Sequence, residues 1–157
     1  YQSIVRMPVV IRAAGVAAQG LVSRAPACAM DLCPTLLDLA GLEPPHGVQG
    51  RSLVPVLGGR TDGFDDRAIL VEEQNHRAIP GLPPPWSART LIAGRWRLSI
   101  YANADWGELY DLGDDPHELR NLFGEPAHAA LRGELMWRLA REMTLLSPNL
   151  PLPARMA

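Results

Sequence analysis

Four carboxylates stand in adjacent pairs, Asp65-Asp66 and Asp114-Asp115, and four histidines, His46, His76, His117 and His128, lie in four separate segments. A hard divalent cation needs oxygen ligands converging from several directions, and a zinc-type site needs histidines at regular helical or strand spacing. Adjacent carboxylates in turn-like sequence diverge, and no two histidines are spaced H-x-H or i, i+4. These residues therefore predict solvated turns and no metal site within the chain. His117 is expected to serve a turn or a helix start, and His46 and His128 the surface. Cys28 and Cys33 match neither a C-x-x-C redox pair nor a zinc knuckle, which predicts small buried hydrophobes. The serines lack a G-x-S-x-G elbow. All 15 basic residues are arginines, so no lysine is present for Schiff-base chemistry.

The stretch Gln74-Asn75-His76-Arg77-Ala78-Ile79-Pro80-Gly81-Leu82-Pro83-Pro84-Pro85-Trp86 differs in kind. It is a proline-stiffened connection that carries a hydrogen-bonding amide, an imidazole, a guanidinium and an indole. Arg77 can pair with an anion, Asn75 or His76 can bond hydroxyls, and Trp86 can stack on a ring. These four are the candidate substrate-binding residues. No catalytic residue is identified.

The elements that would position them follow from periodicity. Met7 to Arg12 is continuous and β-branched, which predicts a strand buried on both faces of a parallel or mixed sheet. Asp31 to Gly41 predicts a short helix with Asp31 as its cap, Pro34 in its first turn, an apolar stripe at Leu32, Leu36, Leu39 and Ala40, and Gly41 as its stop. Gly58-Gly59 and the polar stretch from Arg60 to Asp66 mark a join. Beyond it, Arg67–Glu73, Ala88–Ile92, Trp96–Tyr101 and Gly107–Leu112 read as four strands, the middle two forming a hairpin at Ala93-Gly94. Trp96, Leu98 and Ile100 alternate with Arg97, Ser99 and Tyr101, which predicts one core face and one wet face. Pro126 opens a helix with Leu131, Leu135, Leu139, Met143 and Leu146 on its inner side.

With 47% apolar and 20% charged residues and a net charge of −2, the chain has an ordinary globular composition. The charges are scattered, which argues against nucleic acid or a membrane surface as partner. No apolar run is long enough to span a bilayer.

Four phrases, in order, resemble the C-terminal third of sulfatases, within the alkaline-phosphatase-like superfamily. They are Arg6-Met7-Pro8-Val9-Val10-Ile11-Arg12-Ala13-Ala14-Gly15, the helix Asp31 to Gly41, Gln49-Gly50-Arg51-Ser52-Leu53, and Glu108-Leu109-Tyr110-Asp111-Leu112 with Asp115-Pro116-His117-Glu118 and Asn121-Leu122. The resemblance implies an α/β fold: the end of an alkaline-phosphatase-like main domain over residues 1–60, then a small four-stranded antiparallel sheet packed by a C-terminal helix over 61–157. It also implies a parent enzyme that hydrolyses sulfuric esters of small molecules or sugars. In the family, that chemistry uses a formylglycine and a calcium-type divalent ion. The formylglycine arises in a C-x-[SP]-x-R context that neither Cys28 nor Cys33 fits, and the metal's Asp-Asp pair and Asp-His-Gly stretch are not among these residues. The chain alone is therefore expected neither to hydrolyse aryl sulfates nor to bind calcium tightly. It is also expected to self-associate through apolar surface at Val9 to Ile11. The resemblance extends to cytoplasmic and periplasmic enzymes alike. Two alternatives stand beside this reading: a phosphodiesterase or phosphonate monoester hydrolase of the same superfamily, and a non-catalytic interaction module.

Overall fold

The computed structural model describes residues 2–16, 18–76 and 81–146. The chain divides into two compact units, one built around Pro8–Arg67 and the other around Ala68–Met143.

In the second unit, β1 (Ala68–Asn75), β2 (Trp86–Ala93), β3 (Trp96–Tyr101) and β4 (Gly107–Asp111) form one antiparallel sheet in the order β1-β2-β3-β4. Gly94, at φ 57°, closes the β2–β3 hairpin where a two-residue turn requires left-handed backbone. A short 3-10 turn at Pro126–His128 leads into the long helix Ala129–Leu146. One sheet face supplies Leu91, Leu98 and Leu109, which are 0% exposed, and the helix lays Leu135 and Leu139 on them. Leu131 packs at the margin of this core as the helical spacing predicts, whereas Met143, expected on the same side, is 37% exposed.

The other sheet face departs from expectation. Arg97 and Ser99, read from alternation as wet, are 6% and 0% exposed. Thr90 and Ser99, paired in register, share a 2.7 Å hydroxyl hydrogen bond. Arg97 forms ion pairs with Glu108 at 3.2 Å and Glu118 at 3.1 Å, and its guanidinium lies 5.8 Å from the Tyr110 ring. This face is polar yet buried, which its charges tolerate because each meets an opposite partner. Glu118 reaches Arg97 from a turn in which its own φ is +55°. The closing phrase builds that turn. The Asp115 carboxylate accepts the Arg120 amide at 2.8 Å, and Asn121 Oδ1 accepts the amides of Leu109 and Phe123 at 3.0 Å each. Asp114 pairs with Arg95 at 2.8 Å, and Asp65 accepts a 3.4 Å bond from Thr61, so both carboxylate pairs serve turns.

In the first unit, the helix Leu32–Leu39 forms where predicted, and Gly41 ends it at φ 69°. Its burial does not follow the apolar stripe. Pro34 and Thr35 are buried, whereas Leu32 and Leu36 are 39% and 66% exposed. Leu53, Val56 and Phe64 form the local core, with Ile11 and Ala25 against it. Cys28 is half-buried and Cys33 exposed, so the expectation of two buried cysteines fails: Cys33 lies on the outer side of the helix.

The predicted strand from Met7 to Arg12 is corrected as well. These residues form no ladder, and Val9 and Val10 are 56% and 93% exposed. A strand exists only when a second backbone completes its hydrogen bonds, and no described strand lies beside this segment. Together with Val22 and Leu36 it leaves substantial apolar surface in water. The isolated chain is therefore expected to bind a hydrophobic dye and to scatter light as an associated species. A clean, dye-free monomer would contradict this.

Candidate functional site

Polar side chains converge in two places. The first lies within the Pro8–Arg67 unit. Asp31, 0% exposed, accepts Arg67 at both oxygens, Oδ2 from Nη1 at 2.6 Å and Oδ1 from Nη2 at 2.7 Å. The same oxygens accept the backbone amides of Cys28 and Arg51, at 2.8 Å each. Burial pushes the Asp31 carboxyl up, but the Arg67 hydrogen bond and the two amides outweigh it and hold the group below the ordinary aspartate value. The predicted side-chain cap is replaced by this clasp, since neither carboxylate oxygen of Asp31 caps the helix. Gly50 sits against it at φ 97°, where a Cβ would fall 2.4 Å from the Met30 carbonyl oxygen. With its oxygens engaged and no exposure, Asp31 can act neither as a base nor as a metal ligand. The clasp is structural.

The second place is one end of the four-stranded sheet. The β1–β2 and β3–β4 connections both emerge there, because β1 ends at Asn75, β2 begins at Trp86, β3 ends at Tyr101 and β4 begins at Gly107. Asn75 and Trp86 are register partners. Trp86 is 6% exposed and packs with Leu82 and Ala88, its ring edge-on to Tyr101 with centroids 6.2 Å apart. Tyr101 in turn lies 4.8 Å from Trp106, with the rings tilted by 43°. The row thus runs from a buried indole through a half-buried phenol to an indole that is 40% exposed. Gly81, at φ 82°, faces the Trp106 ring, with its would-be Cβ 3.6 Å from Cζ2.

The sequence-derived candidates are distributed unevenly around this end. Asn75 is half-buried at the strand terminus, His76 is exposed just beyond it, and Trp86 is inside the aromatic row. Arg77 lies outside the described residues. Trp106 and Tyr101 were not singled out by the sequence. The available signal was an aromatic residue on each side of the short Ala102 to Asp105 connection. Among the described residues no group of three or more His, Cys, Asp or Glu could hold a metal ion. The described residues do not fit the divalent metal that the sulfatase resemblance implies.

Comparison with known proteins then decides the family. The family model described as "N-sulphoglucosamine sulphohydrolase, C-terminal" matches residues 1–144. The chain belongs to this sulfatase C-terminal family. An N-acetylglucosamine-6-O-sulfatase of Bacteroides thetaiotaomicron is 32% identical over 96% of the chain, which spans 27% of that protein's length. A solved structure described as in complex with its substrate D-glucosamine-2-N,6-O-disulfate matches 81% of the chain and 26% of its own, at 28% identity and TM-score 0.63. The phosphonate monoester hydrolase of Silicibacter pomeroyi matches 85% of the chain and 28% of its own, at 30% identity and TM-score 0.71. The four-stranded sheet with its closing helix is thus the sulfatase C-terminal architecture that the ordered phrases imply, within the alkaline-phosphatase-like superfamily.

Proposed function

We propose that this chain is the C-terminal part of an enzyme that hydrolyses sulfate esters of sugars, with residues 1–60 finishing a large α/β domain and 61–157 forming the C-terminal α+β subdomain. The observation that carries the reading is the 96% coverage of the chain at 32% identity by a sugar sulfatase of which it spans only 27%. The formylglycine and the calcium-type ion of the family would come from the remainder of that enzyme. A sulfated sugar as substrate is supported by the similarity to an N-acetylglucosamine-6-O-sulfatase and to an enzyme solved in complex with a glucosamine disulfate.

In this reading the connection from Asn75 to Trp86 lines the mouth of the substrate site and sets selectivity, leaving bond cleavage to the main domain. Arg77 pairs with an anionic group, Asn75 and His76 bond hydroxyls, and Trp86 acts through the ring of Tyr101 that it supports. The prolines at 83, 84 and 85 restrict the connection and reduce the entropy lost on ordering. Arg77→Ala in the parent enzyme is expected to change relative kcat/KM between sulfated sugars by about 1–3 kcal/mol. An identical change for every substrate would remove the selectivity role.

The TM-score of 0.71 to a phosphonate monoester hydrolase supports a second reading, hydrolysis of phosphonate esters. Assaying the parent enzyme on glucosamine 6-sulfate and on a phenyl phosphonate monoester separates the two. Higher kcat/KM for the phosphonate would overturn the sulfatase reading.

A further inference from the structure

We infer that Trp106, backed by Tyr101 and through it by Trp86, is a stacking platform for a pyranose ring at the end of the sheet. The inference rests on the sugar-ester reading above and adds to it the group that receives the ring.

Large aromatic rings are normally spent on burial, as Trp86 is, because each removes a large apolar area from water. Trp106 is held differently. It leaves 40% of its surface in solvent while its ring packs on Tyr101 at 4.8 Å and lies beside Gly81, whose would-be Cβ falls 3.6 Å from its Cζ2. A ring that is exposed yet packed against a second ring loses less freedom than a free side chain when a ligand stacks on it. The flanking groups on the same turn are Asn103 and Asp105, both exposed. An amide and a carboxylate bond hydroxyl and amino groups, while a carboxylate repels a sulfate. The platform therefore suits the hydroxyl- and amine-bearing face of an amino sugar, with the ester group directed away from it. A pyranose has this character, with apolar C–H groups on its faces and polar groups at its rim.

A platform that binds ground state and transition state alike changes KM and leaves kcat in place. Trp106→Ala in the parent enzyme is therefore expected to raise KM for glucosamine 6-sulfate about ten- to two-hundredfold with kcat near that of the unsubstituted enzyme. Trp106→Phe, which keeps a ring, should recover most of the loss, and Trp137→Ala, an indole 74% exposed on the helix, should change neither constant. A fall in kcat at constant KM, or an unchanged KM in both Trp106 variants, would overturn the platform. Failure of the functional reading shows separately, as absence of turnover of any sulfated sugar by the unsubstituted enzyme. In that case calorimetric titration with glucosamine 6-sulfate decides the platform: binding that Trp106→Ala weakens at least tenfold upholds it, and binding that is absent or indifferent to the substitution overturns it.

Discussion

Arg67→Met is expected to destabilise the Pro8–Arg67 unit by about 3–5 kcal/mol, the loss typical when one partner of a buried ion pair is removed. The Asp31 carboxylate would then keep only the amides of Cys28 and Arg51, with no cation to offset its desolvation. A urea melt should show a lower midpoint with an unchanged slope, because the surface exposed on unfolding is nearly the same. Asp31→Asn combined with Arg67→Met should cost less than Arg67→Met alone, since no buried charge is left unpaired. The pH dependence carries the sign. Asp31 titrates lower in the folded protein than in the unfolded chain. Its contribution is thus present above the unfolded value of about 3.9 and is lost as pH falls from there toward the folded value. In Arg67→Met the carboxyl is raised by desolvation, so the acid-side loss should shrink or reverse. An acid limb identical in both proteins would place the stabilising charge elsewhere.

Leu98→Ala is expected to cost the Ala68–Met143 unit about 2–5 kcal/mol. Leu98 is 0% exposed and stands in register between Leu91 and Leu109, under Leu135 and Leu139 of the helix. Strands on both sides fix its backbone, so the site has little room to collapse around the void. Trp137→Ala removes a larger side chain from the exposed side of the same helix and should change stability by about 0.5 kcal/mol or less. Thermal melts of the two variants make the comparison directly. A loss at Leu98 no greater than that at Trp137 would show that the sheet and helix are not the cooperative core.

The strands and the closing helix were legible because their signals are local. Alternation along Trp96 to Tyr101, the turn at Ala93-Gly94 and the leucine spacing after Pro126 each fix an element from its own residues. What escaped reading depends on neighbours distant in sequence. Met7 to Arg12 has strand composition but no partner backbone. Arg97 looks like a solvent residue until Glu108 and Glu118 are brought to it from eleven and twenty-one positions on. Asp31 reads as a helix cap because the competing donor, Arg67, lies 36 residues away. The candidate site divides along the same line. The composition of the Asn75 to Trp86 connection marked it, yet Trp106 joins it only because two strand ends close on the same side of the sheet.

The side chain of Asn121 has a further effect at the margin of that sheet. Its Oδ1 accepts the Leu109 amide and its Nδ2 donates to the Gly107 carbonyl at 2.9 Å, while the Leu122 amide bonds the Leu109 carbonyl at 2.8 Å. Groups of β4 that would otherwise recruit an intruding chain are already occupied, so one side chain and one amide stand in for a fifth strand. Template-driven growth at that margin is blocked without a covering element. The opposite margin, β1, has no fifth strand beside it among the described residues, and it carries Glu72 and Glu73. Glu72 pairs with its register partner Arg89 at 2.7 Å and Glu73 is exposed, so charged side chains line this margin where hydrogen bonds do not close it. The two borders of one small sheet are thus protected against fibre formation by unrelated means, one by saturation and the other by charge.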